Sequence, residues 1–413
     1  MEKYRFNLQH FAENDSVNKT TDAGLSAEMK TFYDKTLIAL ASPYLVHDQF
    51  GQKRDIPKNG GKIIEFRKFS SLPKALTPLS EGVTPDGSKL TASAVSASVE
   101  QYGDYVEQSD LLELTAVDNT IVEVTRQLAS QAGLTMDTVV RNEIVGGTNV
   151  IYCPIVSGDS ETPVESRSAI TSGSRLRVKD VFKAAAELKA MNAPKIDGYY
   201  VGIIHPYVAY DLMQEAGPQW MDVQKYASPE NMLTGEIGCL GGVRFVETSE
   251  AKIFAGENLA GTKRTLAVNN ADGYSAATSV AFDGGTVEAD ALIGRYVIIN
   301  GTKAKVTDNT SSSLTLDTAV TCADNAVIYP GEGGSEGCAV FATLILGADA
   351  YGVTSVNGGG IEHIVKQKGY GNDPLNQRSS IGWKGLKTAK RLVEEYMIRL
   401  ESGSAFSSTA KAN

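Results

Sequence analysis

Histidines and cysteines, common carriers of acid–base and metal chemistry, number only four each in this chain, so an enzyme would have to rely on carboxylates or lysines. A histidine can act as a general base near neutral pH, and cysteines and histidines at short spacing bind zinc. The cysteines form no CxxC pair, so the sequence predicts reduced thiols, no metal site, no cofactor and no dense disulfide framework. The residues are His10, His47, His205 and His363, with Cys153, Cys239, Cys322 and Cys338.

His205 is the histidine best placed for catalysis, because it directly follows an apolar strand segment and loops after buried strands often hold catalytic groups. Asp211 and Glu215 follow it and are the carboxylates of a hydrolase hypothesis. No Ser or Cys nucleophile motif accompanies them, and a capping or turn-stabilising histidine is the more common arrangement. We therefore predict that the protein is not an enzyme and has no catalytic residues.

Two further patterns resemble functional motifs only superficially. Residues 82–89 (GVTPDGSK) have Ser88 where a phosphate-binding loop needs lysine, and no strand-to-helix context surrounds them. Glu394 and Glu395 lie in a predicted strand, whose side chains alternate between faces, so they are not expected to share one acid–base site. The first pattern is interpreted as a turn and the second as solvated or ion-paired carboxylates.

The elements that carry these residues belong to a folded globular chain. Of 413 residues, 42% are hydrophobic and 21% are charged, and the net charge is -10. This composition fits two or three domains, and the lack of a dense basic run argues against sequence-specific nucleic-acid recognition. No segment approaches the ~18 apolar residues of a membrane span, and the start has no signal-peptide core. We expect a protein that is made in the cytosol and does not contact a membrane.

The sequence pattern of the N-terminal part predicts two structures that must pack against another part of the protein or another subunit. Apolar residues at helical spacing over 25–40 predict one amphipathic helix in an otherwise extended arm. The arm is too short to bury its own apolar face. Strand-like runs at 62–69 and 92–106 then predict a two-stranded ribbon around a Pro- and Gly-rich centre, and such a ribbon is marginal in water when alone.

The middle of the chain predicts a long helix followed by a mixed region with an insertion. The helix covers 119–146 and would span roughly 40 Å. The sequence pattern of residues 178–255 predicts alternating helices and strands. A further apolar strand is predicted at 339–346. The interval 257–337 carries 5 basic and 10 acidic residues, and its Gly, Thr, Ser and Asn content predicts a small all-β insertion that faces solvent rather than a polyanion. Its strand candidates are 279–282, 296–300, 303–307, 313–316 and 326–329.

The C-terminal part has the opposite charge balance, with 8 basic and 5 acidic residues over 361–401. It ends in a predicted strand around 396–400, and the small polar tail after Ser402 is predicted to be loose. A cluster of cations before that strand could contact nucleic-acid phosphates or acidic residues of another subunit. Because no aromatic stacking array accompanies it, we favour the protein contact. The cluster consists of Lys384, Lys387, Lys390 and Arg391.

Five segments carry a resemblance to a known family. The opening YRFNLQHFAE (4–13) is similar to the start of many phage capsid proteins. Four later segments resemble the family named for the phage N-four major capsid protein, and 373–385 and 342–353 are the most specific of them. They are IHPYVAYDL (204–212), GEIGCLGGVRFVETS (235–249), ATLILGADAYGV (342–353) and DPLNQRSSIGWKG (373–385). The resemblance implies a major capsid protein of a tailed bacteriophage, with the α+β Hong Kong 97-type fold.

This resemblance implies a division of the chain in which the inserted β domain is a departure from the family pattern. Residues 1–50 would form the N-arm, 51–109 the E-loop, and 110–177 the P-domain with its spine helix. Residues 178–255 and 339–360 would form the A-domain, interrupted by the inserted β domain at 256–338. Residues 361–402 would supply closing strands, and 403–413 a loose tail.

The resemblance also implies function and partners. Copies would form hexamers and pentamers of an icosahedral head that encloses double-stranded DNA through non-specific contact, in the virion after assembly in the bacterial cytoplasm. Further partners would be a separate scaffolding protein, a portal and a decoration protein. E-loop cross-linking through Lys62, Lys68 or Lys74 is not supported by the sequence. Expected intersubunit contacts are Arg67, Lys68, Lys74, Glu81, Lys384, Lys387, Lys390 and Arg391.

An alternative function rests on the insertion alone. Its Gly- and Thr-rich sequence with short predicted strands is also typical of an adhesin-like module that binds glycans or a host surface. A binding domain of this kind is compatible with a capsid subunit that carries it.

Overall fold

The computed structural model describes most of the chain after residue 44. The described residues are 17–18, 45–57, 59–69, 72, 74, 76, 78, 87, 89–90, 92–111, 120–158, 160–220, 233, 235–354, 360–366 and 375–413. The helix predicted at 25–40 and the candidate contact Glu81 lie outside them.

Helices and strands are numbered along the chain. Helix α1 is Thr120–Val145, α2 is Val178–Ala190 and α3 is Pro206–Ala216. The strands before α3 are β1 Val17–Asn18, β2 Gln52–Lys53, β3 Ile63–Phe69, β4 Ala92–Ser98, β5 Glu100–Ser109, β6 Val150–Tyr152, β7 Ile155–Ser157, β8 Ser160–Thr162 and β9 Tyr200–Ile204. Those after it are β10 Glu236–Leu240, β11 Val243–Glu247, β12 Ile253–Phe254, β13 Leu266–Val268, β14 Tyr274–Asp283, β15 Tyr296–Ile299, β16 Thr302–Asn309, β17 Ser313–Cys322, β18 Val327–Pro330, β19 Val340–Leu346, β20 Tyr351–Thr354, β21 Glu362–Lys366, β22 Arg378–Arg391 and β23 Met397–Ser402.

Helix α1 lies on a sheet with the order β1-β5-β22-β20-β2, in which β21 also pairs with β22. Its 26 residues span roughly 39 Å. Val124, Leu128 and Ala132 recur at four-residue steps, so they form one apolar face, which packs against Ile381 and Trp383 of β22. The helix predicted over 119–146 is therefore present.

A second sheet is covered on both faces. Its order is β10-β11-β9-β19-β23-β6, with β12 paired to β19. Helices α2 and α3 pack on one face, and the C-terminal half of α1 packs on the other through Val140 and Ile144. All seven residues of β19 are buried, as expected for a strand that is covered on both sides. Helix α1 thus joins the two sheets.

The insertion contains a closed barrel with the strand order β13-β14-β17-β16-β15-β18. It has its own apolar core, which includes Val268, Val306 and Leu316. Five of its strands coincide with or extend the five predicted ones. The sequence gives no signal for β13, because three residues are too short to show alternation.

The predicted strand position of Glu394 and Glu395 is wrong. Glu394 and Glu395 lie in a 3-10 turn rather than in a strand, and Glu394 pairs with Arg391 at 2.8 Å. Strand β23 is buried on both faces because it lies between β19 and β6 under the helices, so Glu401 on its polar face is also buried.

The tail is also not loose. The Ser404 hydroxyl donates to Asp211 at 2.8 Å, and the Phe406 ring stacks on Tyr207 with centroids 4.5 Å apart. Ser404 and Phe406 form these contacts because the fold brings α3 next to the end of β23. Composition alone predicted a free tail, and the long-range hydrogen bonds hold it in place.

Candidate assembly surfaces

Residues 45–54, called here the anchor segment, fix the start of the ribbon to the body of the subunit. The His47 main-chain N–H donates to Asp137 of α1 at 2.8 Å, and the His47 ring nitrogen Nδ1 lies 2.6 Å from the other carboxylate oxygen. Both side chains are almost fully buried. The Tyr351 hydroxyl donates to the His47 carbonyl oxygen, and β2 pairs with β20. The anchor segment therefore connects α1 to the strands next to β22.

The four cations on β22 that were predicted as intersubunit contacts all have partners within the chain. Lys387 lies 2.6 Å from Asp48 of the anchor segment, and Lys384 lies 3.0 Å from Glu362 of β21. Lys390 and Arg391 share Glu143 of α1, at 3.3 and 3.6 Å. These pairs tie β22 to its neighbours in the same subunit, and their role between subunits stays a prediction.

Strands β3 and β4 form the predicted ribbon, an antiparallel hairpin in which Phe66 lies opposite Val95. Its base is supported by the same chain, because Phe66 is only 3% exposed and its ring lies against Gly352 of β20. A Cβ at Gly352 would come within 2.5 Å of the Phe66 ring. Glycine is therefore required at this crossing, and the base of the hairpin does not need a neighbour.

The distal part of the hairpin carries exposed apolar side chains. Leu76 is 81% exposed, and Leu72 and Leu90 are both more than half exposed. Such a patch on a single segment is unusual for a protein that works as a monomer. The sequence reasoning did not single out these leucines, although apolar residues in a Pro- and Gly-rich stretch are a signal that could have identified them.

The structure describes the side chains of only some of the hairpin residues that were predicted as intersubunit contacts. Arg67 and Lys74 are exposed and have no ion-pair partner within the described part of the chain. The backbone of Lys68 pairs with Ser93, whereas its side chain lies outside the described set, as does Glu81. The structure does not bring Arg67 and Lys74 into any contact with the four cations of β22.

The residues of the hydrolase hypothesis have separate structural roles. His205 is the N-cap of α3, and its Nδ1 accepts a hydrogen bond from the Tyr207 N–H at 3.2 Å. Asp211 accepts from Ser404 and Ala405, and Glu215 accepts from the Val178 N–H at the start of α2. Among the described residues, no group of His, Cys, Asp and Glu could hold a metal ion. The geometry thus agrees with the capping role predicted for His205.

A pH dependence follows from the burial of His205, which lowers its pKa to about 4 from 6.5. The unfolded chain binds this proton between those values and the folded chain does not, so stability is lost as the pH falls from 6.5 towards 4. We expect a His205 contribution of about 3 kcal/mol to this loss. His205→Asn keeps a capping acceptor but does not titrate, so urea unfolding of the unassembled variant should show a flatter pH dependence over this range. An unchanged slope would contradict the assignment.

One buried charge cluster was not foreseen. Glu401 is fully buried and accepts from Arg167 at 2.7 and 2.5 Å and from Arg399 at 2.7 Å. Arg399 also donates to the carbonyl oxygens of Val145 and Gly147 at the end of α1. The cluster therefore joins β23 to the helix. No local pattern predicts it, because Arg167 lies 234 residues before Glu401.

Comparisons with known proteins agree with this architecture. The capsid protein of Ralstonia phage GP4 superposes with a TM-score of 0.54 at 11% identity, over 86% of this chain and 87% of that one. The capsid protein of cyanophage Pam1 gives 0.50 at 11% identity, over 92% and 96%. No curated protein sequence matches the chain. No described helix is long and apolar enough to cross a membrane.

The likeness to solved capsids confirms the α+β, Hong Kong 97-type fold that the sequence predicts. A family model described as phage capsid protein matches residues 101–383, which is more than half of the chain. That stretch includes α1, every strand of the second sheet except β23, the barrel insertion and the first part of β22. On this evidence the chain belongs to the phage capsid protein family.

Proposed function

We propose that copies of this major capsid protein form hexamers and pentamers that close into an icosahedral head around double-stranded DNA. The observation that carries the proposal is the hairpin β3–β4, whose base is packed in its own subunit while its distal leucines are exposed. Burying them against an adjacent copy supplies the apolar contact that a permanent assembly needs. The role is structural, without catalysis or a cofactor.

The proposed division assigns β3–β4 and the residues between them to the E-loop. Residues 100–109, which the resemblance placed in the E-loop (51–109), form β5 and pair with β22, so this division moves them to the P-domain with helix α1. The second sheet with α2 and α3 would form the A-domain. The acidic barrel would face the outside of the head, because its net charge of -5 over residues 257–337 would repel packaged DNA. The alternative role of the barrel in glycan or host binding gains no support from the family match.

The proposed partners follow from this role. A separate scaffolding protein would direct assembly in the bacterial cytoplasm, a portal would occupy one vertex, a decoration protein would bind the outer surface, and DNA would be contacted without sequence preference. The finished protein would reside in the virion shell. These partners are proposals that rest on membership of the capsid family.

The test is assembly of the full chain, expressed with and without the scaffolding protein of its phage. Negative-stain electron microscopy and the mass distribution in solution should show capsomers or closed shells. A monomer under both conditions, at high concentration, would contradict the proposal. Shells that appear only with the scaffolding protein would support both the function and the need for a scaffold.

The hairpin charges provide a second test. Arg67→Glu together with Lys74→Glu should reduce shell yield at least about threefold at low salt, with a smaller loss at high salt, since exposed charge contacts are screened. Lys183→Glu, an exposed change on α2, is the matched control and should assemble normally. Equal yields for all variants at low salt would show that these two hairpin cations are not intersubunit contacts.

A further inference from the structure

Two neighbouring stems join the inserted barrel to the rest of the subunit. The incoming stem is β12 and residues 255–258, and the outgoing stem is residues 338–339, which lead into β19. Ile253 of β12 lies opposite Phe341 of β19, so both stems leave the sheet at the same point. The Ser335 N–H of the insertion also donates to the Ile170 carbonyl oxygen of the body at 2.8 Å, and a domain attached at so few points is expected to pivot unless further contacts hold it.

Residues 404–413, called here the tail, begin on helix α3. The Ser404 hydroxyl and the Ala405 N–H both donate to the Asp211 carboxylate, at 2.8 and 2.9 Å. The Phe406 ring stacks on Tyr207 of the same helix. These contacts fix the first part of the tail to the A-domain layer.

The tail then contacts both stems of the barrel. On the outgoing stem, the Ala339 N–H donates to the Ser408 carbonyl oxygen at 2.8 Å. On the incoming stem, the Ile253 N–H donates to the Asn413 side-chain oxygen at 3.0 Å, and the Asn413 amide donates to the Ala251 carbonyl at 2.9 Å. One segment therefore holds the two stems at separate points.

Between those points the tail and the incoming stem do not pack tightly. They enclose a groove of about 600 Å³ that is lined by Gly256, Arg264, Thr409 and Ala412, among others. Apart from Ala410, which packs against the core of the second sheet, the connection depends on a few hydrogen bonds at its ends. Removing one end should loosen its stem while the barrel keeps its own core.

We propose that the tail is a clasp that sets the orientation of the inserted barrel on the subunit. It links helix α3 to both stems and, together with the Ser335–Ile170 hydrogen bond, restrains the barrel against pivoting about β12 and β19. If the protein assembles as proposed above, a fixed barrel also keeps the barrels of adjacent copies from colliding. The clasp itself is a property of the single subunit and can be tested without assembly.

Hydrogen–deuterium exchange of the full, unassembled chain tests the clasp. In Asn413→Ala, amides of residues 250–255 should exchange about fivefold faster, because the variant removes the side-chain acceptor of the Ile253 N–H. Deleting residues 404–413 should speed exchange in both stems, including Ala339. Amides of β16 inside the barrel should not change in either variant. Lys411→Ala, an exposed change within the tail, is the matched control.

The pattern of exchange distinguishes a clasp from a general stabilising effect of the tail. Unchanged exchange in both stems would overturn the proposal, and so would an equal increase in β16, because that would indicate general loosening of the barrel. If the deletion variant does not fold, Asn413→Ala decides the question alone. Failure of the wild-type chain to form shells would contradict the proposed function but would leave the exchange result for the clasp valid.

Discussion

Replacing Leu76 with aspartate is expected to stop shell formation while leaving the subunit folded. Leu76 is 81% exposed in the single subunit, so the change removes no internal packing. In an assembled contact, each buried leucine contributes about 2 kcal/mol, and a buried carboxylate adds a desolvation cost. The same loss of contact free energy occurs at every copy of the contact in the shell. Even a moderate loss for each subunit should therefore reduce shell yield more than about tenfold.

The measurement is shell yield by sedimentation and electron microscopy, together with the melting temperature of the unassembled subunit. Ile293→Asp is the matched control, because Ile293 is also an exposed apolar residue but lies on the inserted barrel. We expect the control to assemble and both variants to melt within a few degrees of the wild type. Normal shells from Leu76→Asp would show that the distal hairpin does not form an essential contact.

Removing the Asp137 carboxylate is expected to cause the largest loss of subunit stability. Asp137→Ala leaves the buried His47 main-chain N–H and the His47 ring nitrogen without their partner. A buried polar group that loses its charged hydrogen-bond partner destabilises the folded state. We therefore expect the free energy of unfolding to fall by about 3 kcal/mol or more. The anchor segment should detach from α1, which would also free the base of the hairpin.

Urea unfolding of the unassembled subunit measures this change. Asp104→Ala is the matched control, since Asp104 also bonds a side chain, Gln131 at 2.6 Å, but in an exposed position. The control should lose less than about 1 kcal/mol. Similar losses for the two variants would contradict the assigned importance of the His47–Asp137 pair. A shell defect in Asp137→Ala without a stability loss would place its effect at an intersubunit contact.

Elements with strong local patterns could be predicted from the sequence. The apolar spacing that predicts a helix over 119–146 ends within a residue of the observed Thr120–Val145, and the strand predicted at 339–346 differs by one residue from the observed Val340–Leu346. The barrel strands were found because alternating residues between Gly- and Asn-rich turns define short strands on their own. Each of these signals lies within a single segment.

The candidate surfaces were harder to predict because exposure is not a local property. Phe66 and Leu76 are both large apolar residues near the ribbon, yet one is buried against Gly352 and the other is exposed. The cation cluster was correctly identified as charged and clustered, but Asp48 and Glu143, which pair with it, are remote in sequence. Side-chain type therefore identified candidates, and the fold determined which of them already had partners.

By itself, the sequence determined the α+β class, the spine helix, the inserted β domain, the absence of a nucleophile motif and the resemblance to phage capsid proteins. Only the tertiary structure decided that the tail binds both barrel stems, that His47 and Asp137 form a buried pair, and that Arg167 pairs with the buried Glu401. The physical reason is the range of the interactions. Periodicity and turn chemistry act over a few residues, whereas these hydrogen bonds and ion pairs join groups that become neighbours only after the sheets and helices have packed.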